Sequence, residues 1–392
     1  MKLADRMSRL GTETAFAVLA RAKALEAQGR DIVHLEIGEP DFDTPANVID
    51  AGANALRTGY THYTPAAGIP PLREAIAQYI ASTRRIPVTA ENVVVVPGGK
   101  PIIFFSILAL VEPGDEVVMP NPTFPIYESM VRFLGGQPAF VRLDEAAGFG
   151  FDMDMFADSL NERTRMVILN SPSNPTGGVL SLAQIETIAD LLRERPEVTI
   201  LSDEIYSRIL YNGTHHSIAS QPGMQERTII LDGYSKTYAM TGWRLGYGVM
   251  PKALAEAVTQ LQINATSCVN AATQVAGIEA LCGPQDDVDK MVAAFRARRD
   301  LIVGGLNQLP GVSCVMPEGA FYAFPNVSQV CARLGIDQDV LAMRLLDEAG
   351  VAALRGTAFG DYGRDYLRFS YANSMENIQK ALDRIGEWLQ HQ

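Results

Sequence analysis

Lys236 lies in GYSKTYAMTGWRLGY, residues 233–247, between Ser235 and Thr237, with a tyrosine two residues away on either side and Arg244 eight positions later. A solvated lysine needs no such company. An amine held among aromatic rings near a second cation loses proton affinity and becomes nucleophilic, so Lys236 is a candidate reactive group. Ser235 and Arg244 add a hydroxyl and a planar guanidinium, a pair suited to a phosphate. Upstream, VVVVPGGK sets Gly98 and Gly99 between an apolar run and a helix start at Lys100. Glycines there let backbone N–H groups approach an anion at the positive end of a helix. NSPSNPTGG carries Asn174, and LSDEIYSRIL carries Asp203 and, three residues on, Tyr206. Taken singly these are punctuation: a tight turn, a turn residue before proline, a helix cap.

Parallel strands ending at one edge would bring them together. The β-branched runs at 92–97, 115–120, 165–170, 198–203, 227–232 and 244–250 alternate with helix-length segments such as 99–111, 122–134 and 181–194. Apolar strands without in–out alternation, separated by helices, predict an α/β architecture: a mainly parallel sheet in a three-layer large domain. Ligands of such sheets lie beyond the carboxyl ends of the strands, where most of the polar residues above fall. PPLREAIAQYIASTRR opens with prolines at a helix start and puts Leu72, Ala75, Ile76, Tyr79 and Ile80 on one face. After about residue 280 a long helical stretch, the short runs GAFYAFP and YLRFSYA, and a closing helix predict a smaller α+β domain. The expected division is 46–280 for the large domain, and 1–45 with 281–392 for the small one.

The 392 residues suit two packed domains, and no apolar run approaches the roughly 18 residues of a membrane span. The first thirty residues are amphipathic and mixed in charge rather than signal-like, so a cytoplasmic protein is expected. Thirty-three basic residues against 45 acidic ones give a net charge of −12, which argues against general nucleic-acid binding. A local pocket can still invert that sign for a small anion. The four cysteines, Cys268, Cys282, Cys314 and Cys331, lack disulfide or zinc-ligand spacing and read as reduced core residues. His34, His62, His215 and His216 have no motif support and read as turn or surface residues.

A phosphate cradle, an amine, a carboxylate and a phenol at one sheet edge are the parts that hold pyridoxal 5'-phosphate as an imine. The chain resembles the fold-type I pyridoxal-phosphate enzymes of the class I aminotransferase family, in particular the bacterial aspartate aminotransferase subgroup. The resemblance runs from EIGEPDFDTP (36–45) through THYTPAAGIPPLREAI (61–76), EPGDEVVMPNPTFPIY (112–127), NSPSNPTGG, SDEIY and SKTYAMTGWRLGY to YLRFSYANS (366–374). It implies that Lys236 binds the cofactor covalently and later moves the Cα proton. It implies that Asp203 pairs with the pyridine nitrogen, that Tyr206 and Asn174 bond the ring's phenolic oxygen, and that Phe124 stacks on the ring. Gly99 and Lys100, through their backbone amides, would bind the phosphate with Ser235 and Arg244. Tyr63 would reach that phosphate from a neighbouring subunit, which implies a homodimer with shared sites. Arg368 would grip the substrate α-carboxylate, with Gly38 and Asn174 completing the pocket. The implied activity is ping-pong transfer of an amino group from an L-amino acid to a 2-oxo acid.

The chain departs from the subgroup it resembles at Phe124, where many members carry tryptophan; phenylalanine stacks but has no N–H to donate. No second arginine is assigned to a distal carboxylate. Lys100 matches a lysine that can bind it in the subgroup, and Arg355 is a second candidate. Aspartate or glutamate is the first expectation for the donor, with aromatic or other neutral amino acids as the alternative. A lyase, decarboxylase or oxidase on the same lysine remains a rival within the cofactor class. A DNA-binding regulator built on this fold is not expected, because EIGEPDF begins at residue 36 and the chain is acidic.

Overall fold

The β-branched runs form the centre of the chain. In the computed structural model, which describes residues 1–392, eight strands make one sheet. They are β1 (Val93–Val96), β2 (Glu116–Asn121), β3 (Gln137–Asp144), β4 (Gly150–Phe151), β5 (Thr164–Asn170), β6 (Thr199–Asp203), β7 (Thr228–Gly233) and β8 (Gly246–Val249). Their spatial order is β1-β8-β7-β6-β5-β2-β3-β4. The pairs β2–β3, β2–β5, β5–β6 and β6–β7 are parallel. The pairs β1–β8, β7–β8 and β3–β4 are antiparallel.

The apolar strands lack in–out alternation because both faces of the sheet are covered. Val93 and Val95 enter one core with Ile230 and Tyr247, whereas Val94 and Val96 enter another with Ile168 and Leu201. Six of the eight strands coincide with the predicted runs. β3 and β4 escape the pattern because they lie at one end of the sheet, where much of β3 is partly exposed and its sequence, QPAFVRLD, is mixed. The helix Pro70–Arg84 buries Leu72, Ala75, Ile76, Ala77 and Ile80, close to the predicted face.

The remainder builds two small sheets. Val33–His34 pairs in parallel with Val351–Ala352, and Leu367–Ser370 lies antiparallel between Tyr322–Ala323 and Leu354–Arg355. The helices Asp286–Leu306 and Met375–Gln390 pack on them through Phe295, Ile302, Leu306, Ile385 and Trp388. No helix is long and apolar enough to cross a membrane.

Beneath β6 and β7 lies a buried polar cluster. Arg84 donates from Nε to Glu204 at 2.7 Å and from Nη2 to Asp232 at 3.0 Å. Ser202 and Ser217 donate to the other oxygen of Glu204, and His215 Nε2 lies 3.0 Å from its Oε2. His215 is therefore a buried partner of an acid, not a surface residue. His34 also departs from the surface reading: half-buried, it bridges Glu36 at 2.8 Å and Glu26 at 3.0 Å. All four cysteines are free, but only Cys314 is buried and Cys282 is exposed, so the core reading holds for one of them.

Candidate active site

The three parallel strands β5, β6 and β7 end at the same edge with Asn170, Asp203 and Gly233, and Lys236 follows three residues later. Beyond that edge is a cavity of about 870 Å³, within the range that holds a cofactor and a small substrate. Its lining includes Gly38, Gly99, Lys100, Phe124, Asn174, Asp203, Tyr206, Ser235, Lys236, Arg244 and Arg368. The parallel strands supply Asn170, Asp203 and the approach to Lys236, while Gly38, from a loop, and Arg368, from the antiparallel strand Leu367–Ser370, reach the same cavity from outside that sheet.

The floor is a buried acid. Asp203 is 5% exposed, accepts from the Tyr127 phenol at 2.5 Å and from the Ile205 N–H at 3.2 Å. Burial pushes its carboxyl up to about 6, against those two donors, which pull it down. Lys236 donates to the backbone carbonyl of Gly38 at 2.6 Å. Burial, with the nearby Arg368 and Lys100 cations, brings its ammonium down to about 8, against the pull of Glu39 and Glu13. The buried acid and the weakened amine open into one space.

Arg368 forms the opposite wall. It donates from Nη1 to Asn174 Oδ1 at 3.0 Å and from Nη2 to the Glu36 carbonyl at 2.5 Å. Its guanidinium carbon lies 4.5 Å from the Tyr322 ring centroid and 4.9 Å from that of Phe359. Its Nε is buried without a partner. A buried guanidinium with an unused donor is prepared for an anion. Tyr206 shares a 2.7 Å hydrogen bond with Tyr322, and burial raises its phenol well above the ordinary value. A Cβ on Gly38 would come within 2.4 Å of the Tyr322 hydroxyl, so only glycine lets that loop approach.

The cradle predicted at Gly98–Gly99 precedes the helix Lys100–Leu110. Gly98 has φ +82°, and a Cβ there would lie 2.2 Å from Arg244 Nη2. Gly99 and Lys100 at the helix start, Ser235 and Arg244 all line the cavity, and together they offer a donor set that fits a phosphate. With the buried acid, the phenol and the amine, these residues fit pyridoxal 5'-phosphate: each polar part of that group has a partner of matching chemistry.

Two predicted residues lie elsewhere. Tyr63 is 91% exposed and does not line the cavity of its own chain. Arg355 pairs with Asp339 at 2.6 Å, away from the cavity, which removes it as a reader of a distal carboxylate. Lys100 lines the cavity and hydrogen-bonds Glu13. Three participants had no signal of their own: Tyr127 and Tyr322 look like core aromatics, and Glu13 like one acid of a mixed helical segment.

Residues 30–385 match the family described as aminotransferase class I and II. The chain is 38% identical to the aspartate/prephenate aminotransferase of Nitrosomonas europaea, over 99% of this chain and 100% of that one. It is also 38% identical to an aspartate aminotransferase of Rhizobium meliloti, over 98% of this chain and 95% of that one. Among solved structures, it superposes on the Thermus thermophilus aspartate aminotransferase with maleate with TM-score 0.93 and 38% identity, covering 99% of both chains. An alanine aminotransferase from Pyrococcus furiosus gives TM-score 0.94 at 30% identity, covering 100% of both chains.

Proposed function

The chain belongs to the class I and II aminotransferase family and is an aminotransferase; on that premise we propose that it uses pyridoxal 5'-phosphate to move an amino group between an aspartate- or glutamate-like amino acid and a 2-oxo acid. The observation that carries this reading is that Lys236, Asp203 and Arg368 all line one cavity. When bound, the cofactor supplies a carbonyl for the substrate amine and an electron-accepting ring for the charge left at Cα.

The residues each have a task. Gly99, the Lys100 backbone, Ser235 and Arg244 hold the phosphate. Asp203 keeps the ring nitrogen protonated, and Tyr127 keeps Asp203 ionised by donating to it. Tyr206 and Asn174 address the ring oxygen, Asn174 keeping Nδ2 free for this while its Oδ1 accepts from Arg368. Phe124, in the cavity wall, would stack on the ring. Lys236 would anchor the cofactor, and its amine, lining the same cavity as Arg368, would serve as the base for the Cα proton. An amine near 8 can both accept and return that proton close to neutral pH. Arg368 orients the α-carboxylate so that the Cα–H faces Lys236. Tyr63, exposed on its own chain, supports a homodimer in which it completes the partner's phosphate site. The domain division proposed is 46–280 against 1–45 with 281–392.

Neutral or aromatic donors are a second reading, favoured by the Glu13 carboxylate on Lys100 and by the absence of an N–H donor on Phe124. The test is to mix the purified enzyme and cofactor with aspartate and 2-oxoglutarate and follow glutamate. Glutamate formation supports transamination; alanine and carbon dioxide formed from aspartate without an oxo acid would replace it with a β-decarboxylase.

A further inference from the structure

Resting on the aminotransferase reading, we propose that Glu13 governs the choice between acidic and neutral substrates, by competing with the substrate's distal carboxylate for Lys100. Glu13 and Lys100 line the cavity together, and Lys100 Nζ donates to Glu13 Oε1. The carboxylate is the more enclosed partner, its side chain 19% exposed against 49% for the lysine. The ammonium lies 5.6 Å from the Phe124 ring centroid, beside the predicted cofactor face. The other cations of the cavity are engaged. Lys236 and Arg368 serve the reacting centre, Arg244 the cradle, and Lys23 pairs with Glu26 at 2.8 Å. Lys100 is the cation left for a distal carboxylate, and Glu13 holds it.

Glu13 is also free to let go. It lies between the short turn Asp5–Arg9 and the helix Ala15–Glu26, outside both. The segment is pinned two residues earlier, where the Gly11 N–H donates to Ser129 Oγ at 2.9 Å. The side chain can therefore leave Lys100 without breaking a helix.

Two substrate classes then meet two states of one pair. A neutral side chain meets Phe124 and an ammonium whose charge is already balanced, so the pair stays closed. A dicarboxylate brings a second negative charge toward Glu13, and Lys100 must exchange one carboxylate for another. One ion pair replaces the other while a second carboxylate is added, so the cavity takes on a net negative charge and the acidic ligand is bound against Glu13. Glu13 thus weakens acidic ligands selectively and makes neutral ones acceptable.

The test is calorimetric binding of two non-reacting ligands, succinate and 3-phenylpropionate, to the holoenzyme. Variants are Glu13→Gln, Lys100→Met and, as a control for the general field of the cavity, Glu39→Gln, since Glu39 also lines it. Glu13→Gln is expected to tighten succinate about fivefold, the upper range for a partly exposed pair, and to leave 3-phenylpropionate within about twofold. Glu39→Gln should leave the ratio of the two affinities unchanged. Succinate affinity unchanged or weakened in Glu13→Gln, or a ratio shifted as much by Glu39→Gln, overturns the proposal. Lys100→Met should lose succinate selectively; if it does not, the distal-carboxylate reading of Lys100 fails and this proposal with it. A wild type that transaminates while Glu13→Gln changes nothing removes Glu13 alone and leaves the function standing.

Discussion

The Tyr127 phenol donates a 2.5 Å hydrogen bond to Oδ2 of Asp203 at the bottom of the cavity. Burial raises the acid to about 6, and this donor opposes the rise. Removing it leaves only the Ile205 N–H and the Lys236 charge to oppose burial, so the carboxyl is protonated at higher pH and less of it is ionised near neutrality. Tyr127→Phe keeps the ring packed edge-on to Phe124, 5.7 Å between centroids. A charge-assisted hydrogen bond of about 1.5 kcal/mol corresponds to about one pH unit. The acid limb of kcat/KM is therefore expected to move up by about that much; an unmoved limb would detach Tyr127 from the chemistry.

Arg368→Lys tests the fork rather than the charge. Arg368 reaches Asn174 and the Glu36 carbonyl with separate nitrogens and keeps Nε unused. Lysine retains the cation but cannot offer two parallel N–H groups to a carboxylate. KM for both the amino and the oxo acid should rise about 100-fold, the loss of roughly 2–3 kcal/mol of charged hydrogen bonding. Equal KM values in variant and wild type, from steady-state kinetics, would exclude Arg368 as the carboxylate site.

Gly98→Ala tests the cradle. Two costs apply at Gly98: a left-handed φ of +82°, and a Cβ 2.2 Å from Arg244 Nη2. Gly59 has φ +95° with nothing within 4 Å of a Cβ, so Gly59→Ala carries the strain without the collision. The strain is about 1 kcal/mol in each. Cofactor titration should show affinity weakened at least about tenfold in Gly98→Ala and unchanged in Gly59→Ala. Matching affinities would mean that Arg244 does not hold the phosphate.

Much of this arrangement could be read from the sequence, for a definite reason. Glycines, prolines and β-branched runs fix where strands end, and parallel strands end on one side, so Gly99, Asn174, Asp203 and Lys236 could be assigned to one edge before any contact was known. Partners brought in by tertiary packing left no such trace. Tyr322 reaches Tyr206 across 116 positions and Lys100 meets Glu13 across 87; neither spacing has a period or motif. The same limit explains His215, whose burial follows from Glu204 and Arg84 lying behind β6 rather than from its own neighbours. Lys100 was legible as a cation near the helix start, but not as one already paired.

The reactive amine carries a cost in the protein without cofactor. Lys236 falls from 10.5 to about 8 chiefly because its environment disfavours the charged form. A folded value below the unfolded one means that stability is highest above 10.5 and declines as pH falls toward 8, with the full cost present at pH 7. Lys236→Met removes the charge. Allowing for partial solvent screening and for the lost bond to Gly38, it should stabilise the cofactor-free protein at pH 7 by about 2 kcal/mol. Urea unfolding of both proteins across pH 7 to 10.5 should show the gap closing as the wild-type lysine is neutralised in both states. A variant less stable than wild type at pH 7 would show that the amine rests comfortably as a cation. A gap that closes with pH would show the fold carrying an amine strained toward its neutral, nucleophilic form, the state that covalent attachment of the cofactor requires.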